Sequence, residues 1–255
     1  MSQSHPKHHR PQKLLRRLIL SIALLTIILC ALYIGQEILN RYKGFATYHN
    51  IAAQVWKEES QPSASMSTDT DTDPLRPPGL TDLMAANPNV IGWVSIPETS
   101  IDYPILQNKA DNDFYLHRDL NGNHLYSGSI FLDSENDLDD PHIKNVYGHH
   151  MKAGYKNGLM FREVMNFKDP DFLKSHQKIY IWSALRSYTY KPLACVSRKA
   201  DPNLRTLKNA EIEKYLSKNY DLSITPNHKI LVLVTCSYGQ EDERTYLICE
   251  NVKED

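Results

Sequence analysis

Nineteen consecutive residues without a charge, LILSIALLTIILCALYIGQ at 18–36, constrain this 255-residue chain more than any other feature. As a helix rising about 1.5 Å per residue, the run nearly spans a hydrocarbon core of roughly 30 Å, so it reads as a transmembrane helix. A cleaved signal peptide shares the basic flank and the N-terminal place. The apolar stretch is longer than a typical signal core, however, and no small-x-small cleavage site follows before Glu37. Lys7, Arg10, Lys13, Arg16 and Arg17 precede the span with no acid among them, which predicts a single-pass anchor with a cytoplasmic N-terminus and an external remainder. The chain holds 29 basic and 30 acidic residues; removing those five leaves 24 against 30. The formal net charge of -1 therefore conceals a basic tail (1–17) and an acidic remainder, and that remainder gives no reason to expect nucleic-acid binding.

Beyond the span, Ile38, Tyr42, Phe45, Tyr48, Ala52 and Val55 recur at helical spacing, which predicts a juxtamembrane helix over 37–60. Residues 61–79, QPSASMSTDTDTDPLRPPG, are too poor in apolar side chains to bury themselves and read as a flexible linker. Asp69, Asp71 and Asp73 imitate the start of a calcium loop, but Pro74 and Leu80 stand where the loop needs Gly and Glu. A folded domain is expected over 80–255. There, strand-like segments at 90–96, 128–133, 145–149, 178–183, 187–197, 229–236 and 244–252 are rich in Val, Ile, Tyr and Thr and separated by turn residues. Helical patterns are fewer, at 80–86, 159–166 and, most clearly, 209–218. The pattern predicts a mainly β domain, a barrel or sandwich with inserted helices.

The residues with chemical promise lie at strand ends. The apolar run from Ile230 to Val234 predicts a strand buried on both faces, with Cys236 emerging where it stops. Arg244 opens the next strand. A hairpin centred near Gln240 would set it opposite Cys236 with Cβ atoms about 5 Å apart, where a guanidinium favours the thiolate. Alone, such a Cys is as well read as a buried structural thiol, and such an Arg as a solvated edge residue. A proton partner is offered by His149, which ends another strand-like segment just after Gly148; His150 points to the opposite face. No metal or other cofactor is expected, since no acid or Cys sits at ligand spacing around the two histidines. Cys195 and Cys249 lie in strand-like sequence as buried thiols, their pairing left open.

NPNVIGWVSIPETSIDYPILQ (87–107), DNDFYLHRDLNGNHLYSGSIFLD (111–133), YGHHMKAG (147–154) and LVTC (233–236), with Arg244 eight residues after Cys236, closely resemble the sortases, the cysteine transpeptidases of Gram-positive surfaces, and among them class B. The resemblance implies an eight-stranded closed β-barrel with inserted helices, behind the N-terminal transmembrane helix. It also implies roles: Cys236 as nucleophile, His149 as proton donor and acceptor, and Arg244 as positioner of the substrate and stabiliser of the oxyanion. Asn112, Leu116 and Thr235 would line the groove for a C-terminal sorting signal. One departure is Val234, where many class B members have a small hydroxyl residue. The implied partners are surface proteins or pilins carrying that signal, and an amine of the cell-wall precursor or of a pilin as acceptor. A membrane-tethered cysteine peptidase using water, and a non-enzymatic surface β-barrel that binds a partner, are the competing readings.

Overall fold

The structure, a computed structural model, describes residues 10–57, 76–141, 143–151, 158–226, 228–237, 239 and 241–254. Helix α1 runs over Arg10–Lys57, and the chain divides at its Gly44 into two compact units, Met1–Lys43 and Gly44–Asp255. In the first unit the stretch Lys13–Gln36 has a mean hydropathy of 2.7 and none of it is buried. Its Leu and Ile side chains face outward all round, from Leu14 to Ile34. Twenty-four such residues are long and apolar enough to cross a membrane, by about 36 Å of rise.

The second unit is built on a closed barrel of eight strands. In chain order these are β1 (Val90–Ser95), β2 (Asp102–Leu106), β3 (Ile130–Leu132), β4 (Lys144–Tyr147), β7 (Ile179–Ser183), β8 (Ser187–Lys199), β9 (Ile230–Cys236) and β10 (Glu243–Glu254). Between β4 and β7, β5 (His150–Met151) and β6 (Leu159–Met160) form a separate two-stranded sheet. Around the barrel the order is β1-β2-β3-β4-β9-β10-β8-β7, closing on β1. Closure leaves no open edge to pair with another chain. Two neighbouring pairs are parallel, β2 with β3 and β4 with β9; the remaining pairs are antiparallel.

Strand β9 shows why its sequence is apolar throughout. Leu231 and Leu233 join the barrel core with Val146, Leu247 and Cys249. Ile230, Val232 and Val234 face the other way, into a second cluster with Ile212 and Leu216 of helix α4 (Asn209–Tyr220). A strand so placed has no solvated face, and each fully buried Leu, Ile or Val contributes about 1.5–3 kcal/mol. The expected helices at 80–86 and 209–218 are present as α2 (Leu80–Ala86) and α4, and a short α3 (Pro170–Ser175) accompanies them. The expected helix at 159–166 is instead strand β6 followed by a 3-10 turn over Arg162–Lys168, because Leu159 and Met160 pair with Met151 and His150. Strand β2 was not expected: Pro104 lies inside it, and proline ordinarily marks a strand edge. Here pairing with β3 begins only at Ile105.

The expected domain begins at Leu80, whereas the compact unit begins at Gly44 and takes in the end of α1 as well. Tyr48 and Val55 are buried, the Tyr48 hydroxyl lies 2.5 Å from Ser129 Oγ, and Trp56 Nε1 donates to Asp102 Oδ2 at 2.8 Å. Most of the expected linker, residues 61–75 with its three aspartates, lies outside the described residues; Gly79, at its end, donates to the Val55 carbonyl at 2.9 Å.

Candidate active site

The β9–β10 hairpin carries the pairing anticipated from sequence: Arg244 is the partner of Cys236 across the ladder. Opposite residues on adjacent strands hold their Cβ atoms about 5 Å apart, which places the guanidinium stem beside the thiol. The hairpin mouth is tied by Ser237, whose N–H donates to the Glu243 carbonyl at 3.1 Å and whose hydroxyl donates to Glu243 Oε2 at 2.6 Å. Arg244 itself is steadied by Asp242 Oδ1 at 3.2 Å and the Glu243 carbonyl at 3.2 Å.

His149 reaches the same end of the barrel through the parallel pairing of β4 and β9. Tyr147 is in register with Val234, and the Gly148 N–H extends the ladder to the Val234 carbonyl at 3.0 Å. Two residues beyond each register partner, the strands deliver His149 and Cys236. Gly148 is required for this approach: a Cβ there would sit 2.8 Å from the Phe161 ring and collide with Ile130. The His149 ring is half-buried, and its Nε2 donates to the Leu116 carbonyl at 2.8 Å, since a carbonyl only accepts. Burial holds its pKa below the usual imidazole value, the Leu116 bond opposes that, and His117 and Arg244 add to it through their charge. His150 is buried on β5 and does not line the cavity.

That cavity, about 310 Å³, is lined by Asn112, Asp113, Leu116, Phe131, Tyr147, Gly148, His149, Arg205, Val234, Thr235, Cys236 and Arg244. All six residues singled out from sequence therefore meet in one place. Asn112 is fixed there by accepting the Ser134 N–H on its Oδ1 at 2.8 Å. Thr235 is buried, and its hydroxyl has no hydrogen-bond partner among the described residues. A groove of similar volume between the end of α1 and the barrel, lined by Phe45, Tyr48, His49, Trp56, Ser100 and Tyr103 among others, has no Cys or Arg in its described lining, and both oxygens of its Asp102 are occupied by the indoles of Trp56 and Trp93.

Sequence reasoning missed an ion pair at the cavity wall between a buried carboxylate and a partly exposed guanidinium. Asp133, with no exposed surface, accepts from Arg205 Nε at 2.6 Å and from the Tyr147 hydroxyl at 2.9 Å. Asp133 and Arg205 are 72 residues apart, so no local spacing announces them. It also missed His117, whose ring stacks on His149 with centroids 5.1 Å apart. Cys195 and Cys249, whose pairing the sequence left open, are both free thiols.

The sortase domain model matches residues 94–252 of the chain. The chain belongs to the sortase family, in its class B. Sortase B of Listeria monocytogenes is 32% identical over 184 residues, covering 67% of this chain and 72% of that protein. Sortase B of Clostridium perfringens superposes with a TM-score of 0.60 at 30% identity, covering 68% of this chain and 98% of that one. Sortase B of B. anthracis does so with a TM-score of 0.66 at 25% identity, over 85% of this chain and 99% of that one. As a sortase, the chain is a cysteine transpeptidase, and its closed eight-stranded barrel is the one those structures share.

Proposed function

We propose that this sortase cleaves a C-terminal sorting signal after a Thr through a thioester on Cys236 and passes the acyl group to an amine of the cell wall or of a pilin subunit. The observation that carries this is the convergence of Cys236, its ladder partner Arg244 and His149 in one cavity. The Cys236 thiolate attacks the Thr carbonyl, and Arg244 faces the oxygen where negative charge develops. His149 protonates the departing amine and later takes a proton from the incoming one. Because Nε2 is committed to the Leu116 carbonyl, Nδ1 is the nitrogen left for that exchange. Asn112, Leu116 and Thr235 form the groove wall for the signal. The apolar helix over Lys13–Gln36 anchors the enzyme with the basic tail in the cytoplasm and the barrel outside, where exported signals emerge.

The test is mass spectrometry of products from peptides of NPxTN, (S/N)PxTG and LPxTG type, with and without oligoglycine or diaminopimelate-type amines. Amine-linked product that disappears with Cys236→Ala supports the reading. Cleavage by that variant at the wild-type rate refutes it, and hydrolysis unaffected by amines would make the enzyme a peptidase instead.

A further inference from the structure

The 3-10 turn over Phe114–His117 touches His149 twice. The Leu116 carbonyl accepts its Nε2 proton at 2.8 Å, and the next residue lays a second imidazole on its face, with ring centroids 5.1 Å apart and planes inclined by 27°. His117 is exposed, and its own Nδ1 lies 3.3 Å from the Tyr126 carbonyl, a second hold on the ring. We propose that His117 is a positioning residue for His149: its ring holds the imidazole on the Leu116 carbonyl, and its charge, when protonated, opposes imidazolium at His149. This rests on the reading of His149 as the proton donor and acceptor.

The physical basis is simple. A ring held by one hydrogen bond can still swing about it, and a stacked face removes that freedom. Positive charge on the His117 ring opposes positive charge on the His149 ring, in the same direction as burial. The other charged or titratable groups lining the cavity around His149 are Tyr147 on β4, Cys236 on β9, Arg244 on β10, Asp113 at the start of the turn that carries His117, and Arg205 at the end of a 3-10 turn over Pro202–Arg205. Arg244 acts on His149 with the same sign as His117, but it cannot release its proton.

Two variants separate ring from charge: His117→Phe keeps a stacking face without charge, and His117→Asn removes the face while retaining a donor for the Tyr126 carbonyl. In the full-length chain in mild detergent, with histidine rings isotopically labelled and the His149 signal assigned by its loss in His149→Gln, the His149 midpoint should rise by about 0.5 pH units in both. The falling alkaline limb of kcat/KM for the best-cleaved sorting peptide should move up by a similar amount. The kcat should drop about tenfold in His117→Asn and return to near wild type in His117→Phe. A His149 midpoint unchanged in both variants, or a His117→Asn enzyme with wild-type kcat, overturns the proposal. Full transfer activity in His149→Gln would sink the acid–base reading instead, leaving the titration result to stand by itself.

Discussion

The β9–β10 hairpin carries two thiols in opposite circumstances. Cys236 is the last residue of β9, half-exposed at the mouth of the cavity with Arg244 across the ladder. Cys249 lies within β10 opposite Leu231, fully buried in the barrel core, and burial pushes its thiol well above the ordinary range. Cys195, on the neighbouring β8, is likewise pushed up to about 12 by burial. The lesson is that reactivity is set by position along a strand. A thiol at the end of a strand can meet a cation and a substrate, whereas inside the ladder burial prevails: it outweighs even the Lys168 charge that acts on Cys195.

The sharpest way to break this contrast is substitution. Cys236→Ala should lower amine-dependent transfer at least about 10³-fold, while Cys195→Ala and Cys249→Ala stay within about twofold, all read by product mass spectrometry. Arg244→Gln should cost roughly 10²–10³ in kcat/KM, the usual loss when one donor to a developing oxyanion is removed. If Arg244→Gln were silent, the ladder pairing would be architecture without chemistry. A charged methanethiosulfonate reagent applied to a Cys30→Ser chain should label Cys236 about 10²-fold faster than Cys195 or Cys249, with all three reacting once the chain is denatured. Stability should reverse the ranking: Cys249→Ser, which puts a hydroxyl into the core, should cost about 1–3 kcal/mol in denaturant unfolding, and Cys236→Ala about 0.5 kcal/mol or less.

The smallest effect concerns His149 beside them. Its folded pKa lies below the unfolded value, so the stability tied to it is complete above the ordinary imidazole pKa of about 6.5 and is lost as pH falls through the lowered folded value. His149→Gln should therefore lose less stability than the wild type between neutral and acid pH. An identical decline in both would show that the ring is not held neutral by its surroundings.

Much of the site was legible because it is local. The run from Ile230 to Val234 announced a strand without a solvated face, and the eight-residue step from Cys236 to Arg244 set the hairpin register that the ladder displays. Gly148 before His149 signalled a close approach, which Ile130 and Phe161 supply. What escaped is non-local or atypical. Strand β2 hid behind Pro104, and Leu159 and Met160 read as helical because a short apolar run has no distinctive period. The stripe of Phe45, Tyr48 and Val55 revealed an amphipathic helix but not the barrel wall that covers it.

By itself, then, the sequence determined an apolar helix long enough to cross a membrane, the mainly β character of the domain and the strand-end places of Cys236, His149 and Arg244, since each of these depends on periodicity, length or spacing within a few residues. The tertiary structure alone decided that β4 lies parallel to β9, so that His149 and Cys236 leave the barrel at the same end. It decided as well that Asp133 pins Arg205 at the cavity wall and that His117 covers His149. These are contacts between segments tens of residues apart, fixed by barrel closure and side-chain packing, and no pattern confined to one segment encodes them.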